Sequence, residues 1–128
     1  MASETIQAAL DSYFAAAKAL DTDAFVACFT ADAVQEDPVG APANEGHDAI
    51  RRFFNGISGG FDQLAMTPES TFINGTSAAV KWTGQVVAKN GREGQFEGID
   101  VVDFDDAGKI TRLRAFWNPA ALMAQVRG

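Results

Sequence analysis

The sequence is poor in the residues that build most metal centres, disulfides and catalytic triads. Its 128 residues include one cysteine, Cys28, and one histidine, His47. A single cysteine cannot close an internal disulfide, and no second histidine or cysteine stands at ligand spacing from His47. We therefore expect neither a metal site nor a histidine-based triad, and Cys28 fits the role of a small buried hydrophobe.

Positive charge is also scarce. Ten Lys and Arg residues stand against 17 Asp and Glu, which gives a formal net charge of −7. Apart from the pair Arg51-Arg52, the basic residues are scattered along the chain. Without a basic stripe to neutralise phosphates, nucleic acid and anionic membranes are poor partners for this chain.

Long apolar runs and the common nucleotide and hydrolase motifs are missing as well. No stretch of about 18 apolar residues occurs, and the start "MASETIQAAL" lacks the basic and apolar regions of a signal peptide. There is no GxGxxG, GxSxG, internal repeat or linker. We expect a cytoplasmic protein made of a single domain, residues 1–128.

What the sequence does contain is a change of hydrophobic period near residue 61. Before it, three- and four-residue spacing predicts helices at 3–20, from "DTDAFVACF" onward and at 48–57, with an extended "AVQED" between the last two. After it, alternation and turn sequences predict a meander of four long strands, the first broken into 62–67 and 70–74 and the others at 77–89, 92–104 and 109–117, then a short helix after Pro119. This order predicts an α+β fold, a cone in which a curved antiparallel sheet wraps around three N-terminal helices.

One carboxylate lies on an apolar strand face. In "FEGIDVVDFDD", Asp100 shares its face with Phe96, Gly98, Val102 and Phe104 because side chains alternate across a strand. A desolvated carboxyl group needs a partner charge, or it becomes protonated with a raised pKa. Two ordinary alternatives stay open, namely backbone donors at a bulge and a register that turns Asp100 toward water.

Two further polar residues stand out. Tyr13, the only tyrosine, lies in the apolar stripe of the first helix, where a core tyrosine bonded to a carbonyl is the common explanation. Asp37 precedes Pro38, a position where a carboxyl group often closes a local turn. Glu36 has the opposite strand parity to Asp37, so only one of these two neighbours can point into the barrel.

Together these residues resemble a known family. "FTADAVQEDPVG", "GHDAIRRFF" and "GIDVVDFDDAGKITRLRAFW" are similar to segments of bacterial Δ5-3-ketosteroid isomerases, members of the fold group of nuclear-transport-factor-2-like and SnoaL-like proteins. In that family a tyrosine on the first helix precedes the base aspartate by the same separation as Tyr13 and Asp37. Asp100 falls in the "ID" dipeptide that carries the family's oxyanion-hole aspartic acid.

The resemblance implies a steroid Δ-isomerase. Asp37, partly solvated and ionised, would move a proton from carbon 4 to carbon 6 of a 3-oxo-Δ5-steroid, and Glu36 would lie outside the site. Tyr13 and a protonated Asp100 would donate hydrogen bonds to the 3-oxygen. No metal or cofactor is implied. The residues expected to line the apolar steroid ligand are Phe54, Val102 and Trp117.

The resemblance also implies a homodimer, with Ile99, Val101 and Leu113 on the outer sheet face as its support. Phe29 and Phe54 depart from the pattern, since some family members have supporting tyrosines there, and residues 58–75 match the family poorly. Two other functions stay open. The chain could be a polyketide cyclase-like or other acid-base enzyme, or a non-catalytic module that binds apolar ligands.

Overall fold

As predicted, the chain changes near residue 61 from a mainly helical region to long strands, and the extended segment before it forms a further strand of the same sheet. The computed structural model describes residues 2–127. Its elements, in chain order, are α1 (Ala2–Ala19), α2 (Thr22–Ala27), β1 (Phe29–Glu36), β2 (Asn44–Glu45), α3 (Gly46–Gly60), β3 (Phe61–Asn74), β4 (Ser77–Ala88), β5 (Glu93–Phe104), β6 (Ile110–Phe116) and α4 (Pro119–Val126). The third helix is longer at both ends than the predicted 48–57.

The strands form one curved, open sheet in the order β2-β1-β6-β5-β4-β3. Strands β3 to β6 form an antiparallel meander, and β1 joins β6 in parallel. Helix α1 packs against β3, α3 against β1 and α4 against β5. This arrangement confirms the predicted α+β cone. No helix within residues 2–127 combines the length and apolarity needed to cross a membrane.

One predicted strand is confirmed and one further predicted boundary was wrong. The two pieces of the predicted broken strand, 62–67 and 70–74, are parts of β3, which has a register shift between Pro68 and Ser70. Because β3 is an edge strand, it can accommodate a proline without losing a ladder hydrogen bond to a second neighbour. Strand β1 starts at Phe29, before "AVQED", so the second helix ends at Ala27 and Cys28 occupies the turn between them.

The outer sheet face differs from the prediction at one residue. Ile99 and Val101 are 43% and 36% exposed, whereas Leu113 is fully buried. Leu113 lies directly opposite Val102 in the β5–β6 ladder, and opposed residues share a face. Leu113 therefore belongs to the core and cannot support a dimer. The dimer itself remains a prediction.

Candidate active site

A mostly apolar cavity of about 160 Å³ lies between the helices and the inner face of the sheet. Tyr13, Asp37 and Asp100, which come from three distant parts of the chain, all line it. Phe54 and Trp117 line it too, as expected of ligand contacts. Val102 is not among the lining residues, because it is buried in the core two positions beyond Asp100 on β5.

Asp37 follows the last residue of β1 and accepts two side-chain hydrogen bonds. Trp117 Nε1 donates to its Oδ1 over 2.6 Å, and Gln35 Nε2 donates to its Oδ2 over 3.5 Å. Burial raises the pKa of Asp37 to about 6, and the Trp117 hydrogen bond opposes that rise. Asp37 is partly buried, in agreement with the sequence-based expectation of a partly solvated carboxylate, and its raised pKa makes it a weakened acid that is mainly ionised at neutral pH.

Sequence reasoning missed the side chains behind Asp37. Gln35 is fully buried, and Asn44 Nδ2 donates to its Oε1 over 3.0 Å. An amide chain thus runs from Asn44 through Gln35 to the Asp37 carboxyl group. The strand pattern contained the clue, since Gln35 has the same parity as the buried Ala33 and as Asp37.

Asp100 is 1% exposed, and within residues 2–127 neither of its carboxyl oxygens has a hydrogen-bond partner. Burial raises its pKa to about 8, the charge of Asp37 adds to the rise, and the nearby Trp82 indole N–H opposes it. The register of β4 with β5 is regular, with Val80 opposite Asp100. The alternatives of backbone donors at a bulge and of a slipped register are therefore excluded.

Tyr13 lies on α1 inside a cluster of phenylalanines. Its ring centroid is 5.2 Å from those of Phe14 and Phe25 and 6.2 Å from that of Phe29. Phe25 in turn stacks on Phe54 at 4.2 Å. Burial first, and then the negative charges of neighbouring carboxylates, raise the pKa of Tyr13 well above its ordinary value. Tyr13 therefore stays neutral, a hydrogen-bond donor in an apolar setting.

Glu36 and Asp37 point in different directions. Glu36 forms ion pairs with Arg112 at 3.1 Å and Arg114 at 3.4 Å. Glu36 is not among the residues that line the cavity. Two adjacent carboxylates thus have separate environments, and only Asp37 belongs to the candidate site.

His47 has a structural contact outside the cavity. Its Nε2 lies 2.8 Å from the backbone oxygen of Phe29. In the described part of the chain, no group of three or more His, Cys, Asp or Glu side chains is arranged to hold a metal ion.

The fold agrees with comparisons to known proteins. The SnoaL-like domain model matches residues 10–113. The steroid Delta-isomerase of Nocardioides simplex is 30% identical over 122 residues, which span 94% of this chain and 96% of that protein.

Two solved structures are similar at 28% identity. A Δ5-3-ketosteroid isomerase from Mycobacterium sp. has a TM-score of 0.81 over 91% of this chain and 95% of that chain. SalBIII, an epoxide hydrolase/cyclase-like enzyme with a role in pyran ring formation in the polyether salinomycin, has a TM-score of 0.84 over 94% of this chain and 97% of that chain. The resemblance read from the sequence is confirmed: the chain belongs to the SnoaL-like domain family.

Proposed function

We propose that this protein is a steroid Δ-isomerase that converts 3-oxo-Δ5-steroids to 3-oxo-Δ4-steroids. The observation that carries the proposal is the pair of carboxyl groups in one apolar cavity, with the pKa of Asp37 at about 6 and that of Asp100 at about 8. At neutral pH the first is mainly ionised and the second mainly protonated. One environment thus supplies a base and the other an acid.

The reaction requires one proton to move within the substrate. Asp37 takes the proton from carbon 4, the electrons of that bond form a dienolate, and the carbonyl electrons move onto the 3-oxygen. The protonated Asp37 then returns the same proton to carbon 6, which leaves the double bond between carbons 4 and 5. Asp37 is regenerated, and neither an oxidant nor a cofactor is consumed.

Negative charge on the 3-oxygen must be stabilised as the dienolate forms. Tyr13 and the neutral Asp100 both line the cavity and can donate to it, because both keep their protons near pH 7. Their hydrogen bonds form where water is excluded, which strengthens them relative to bonds in solution.

The size of the cavity favours an apolar ring as ligand. Its volume of about 160 Å³ is close to that of a cavity of roughly 150 Å³ that accommodates benzene. The reacting ring occupies the deep end near Tyr13 and Asp100, both of them buried. The remaining rings extend toward Met123, which is exposed at the edge of the cavity.

The direct test is conversion of 5-androstene-3,17-dione to its conjugated enone, followed by ultraviolet absorbance. Asp37→Asn should abolish conversion, since an amide cannot take the proton. Glu36→Gln is the matched control, because it removes the neighbouring carboxylate outside the cavity and should retain the rate. Conversion by wild type that is no faster than in buffer, or that survives Asp37→Asn, would overturn the proposal.

A second candidate is an acid-base enzyme that closes a ring in a polyketide-derived substrate. The likeness to SalBIII favours it, since that protein covers as much of the chain as the isomerases do. A base and a neutral acid in one cavity also suit ring closure. This candidate predicts no steroid isomerisation, together with loss of ring closure in Asp37→Asn. A non-catalytic binding module would instead retain apolar ligand binding in that variant and show no turnover with either substrate class.

A further inference from the structure

Trp82 carries a buried donor that the proposed reaction does not use. It lies on β4, is 1% exposed and lines the cavity. Within residues 2–127 its indole Nε1 has no hydrogen-bond partner. A buried N–H without a partner costs free energy, so this donor calls for an explanation.

The neighbour of this donor is Asp100. Trp82 and Asp100 both face inward from adjacent strands, at diagonal positions, because Trp82 is paired with Gly98 and Asp100 with Val80. The indole N–H is close enough to oppose the rise in the pKa of Asp100. An unpaired donor and two unpaired carboxyl oxygens therefore lie side by side.

We propose that Trp82 is a positioning residue for Asp100, whose N–H donates to one carboxyl oxygen and so leaves the proton of the neutral acid on the other. A neutral carboxyl group has one oxygen that donates and one that only accepts. A donor facing one oxygen excludes the proton from it. The remaining O–H then points to the ligand oxygen.

The other groups around Asp100 leave this role to Trp82. The titratable side chains that line the cavity are Tyr13 from α1 and Asp37 after β1; α3 and α4 contribute uncharged residues to it. Tyr13 is surrounded by phenylalanine rings, and at neutral pH the ionised Asp37 can only accept. The inference rests on the proposed function only for the identity of the ligand oxygen, so the pairing can be tested without turnover.

The test uses protein labelled with ¹⁵N-tryptophan. The chain has two tryptophans, so two indole N–H resonances are expected, and Trp82→Phe and Trp117→Phe assign them. In wild type the Trp82 resonance should shift with a midpoint near pH 8, and the Trp117 resonance near pH 6, with the carboxyl groups they face. Asp100→Asn should remove the Trp82 step and keep the Trp117 step, whereas Asp37→Asn should do the reverse.

The pairing would be overturned if the pH titration step of the Trp82 resonance were the same in Asp100→Asn as in wild type. A second result would also overturn it, namely a Trp82 resonance that shifts when a phenolic steroid binds but shows no pH titration step that depends on Asp100. Trp82 would then donate to the ligand itself. Isomerisation with no coupling between Trp82 and Asp100 would retain the proposed function and reject the pairing. Coupling without isomerisation would retain the pairing and reject the proposed function.

Discussion

Trp117 donates a hydrogen bond from its indole Nε1 to Oδ1 of Asp37 over 2.6 Å. This contact stabilises the ionised carboxylate inside an apolar cavity, so it limits how far burial raises the pKa. The pKa of Asp37 therefore reflects a balance between desolvation and one indole hydrogen bond.

The first prediction is a bell-shaped dependence of kcat/KM on pH. Asp37 must be ionised, so the rate should fall as pH drops through about 6. Asp100 must be protonated, so the rate should fall as pH rises through about 8. Because the two carboxyl groups interact, the limbs report the pair as a unit. Initial rates from pH 4.5 to 9.5 measure this, and a flat profile across that range would contradict the assignment.

The second prediction concerns the acidic limb alone. Trp117→Phe removes the N–H but keeps an aromatic ring against the cavity, so the pKa of Asp37 should rise and the acidic limb should move up by about one pH unit. The alkaline limb, which depends on Asp100, should move less. Rate profiles of variant and wild type in the same buffers compare the two limbs. An acidic limb that stays in place would show that the indole does not control the base.

The third prediction is that Asp100 lowers the stability of the folded protein as the pH rises. The pKa of Asp100 lies near 3.8 in an unfolded chain and at about 8 in the folded protein, so the unfolded state loses its proton first. Stability therefore falls as pH rises from about 4 to about 8. Asp100→Asn should remove the share of this fall that Asp100 causes, leave the smaller share due to Asp37, and increase the free energy of unfolding at pH 8 by roughly a few kcal/mol.

Urea unfolding at pH 5 and pH 8 measures this effect, because the difference between the two pH values cancels the packing change that the substitution makes. If wild type and Asp100→Asn lose the same free energy between the two pH values, Asp100 is not the titrating group.

The sequence predicted that Asp37 and Asp100 face the cavity because each orientation depends on local pattern. Strand alternation alone places Asp100 on the apolar face, and strand parity separates Asp37 from Glu36. Both results follow from the period of two, which tertiary contacts leave unchanged.

Features that depend on how the strands pair and on how deeply a side chain is buried were not predictable from the sequence. Leu113 was expected on the outer face, but it pairs with the buried Val102, and this pairing depends on a β5–β6 register that shifts between Asp103 and Phe104. The raised pKa of Asp37 depends on how deeply the end of β1 is enclosed by other elements. The unpaired N–H of Trp82 likewise results from which strands become neighbours.

The fourth prediction tests the two proposed oxyanion donors one at a time. Tyr13→Phe and Asp100→Leu should each lower turnover by roughly 10²- to 10³-fold, the scale of losing one oxyanion-hole donor. Each substitution removes the hydrogen bond to the developing charge and leaves the base in place. Steady-state rates with a 3-oxo-Δ5-steroid measure the loss. A variant within a few-fold of wild type would remove that residue from the mechanism.

The fifth prediction tests the amide chain behind the base. Gln35→Met keeps the volume of a fully buried side chain but removes the donor to Asp37 Oδ2. Because the contact is long, at 3.5 Å, we expect about a tenfold fall in kcat with KM little changed, as for a contact that orients a base. Asn44→Ala should cause a smaller loss in the same direction, since Asn44 acts through Gln35.

The double variant distinguishes orientation from packing. If Asn44 acts only through Gln35, adding Asn44→Ala to Gln35→Met should cause no further loss of kcat, because the amide that Asn44 holds is already gone. Fully additive losses would mean that the two residues contribute independently. If Gln35→Met alone leaves kcat unchanged, Asp37 is oriented by Trp117 without Gln35, and the buried Gln35 stabilises the strand rather than the base.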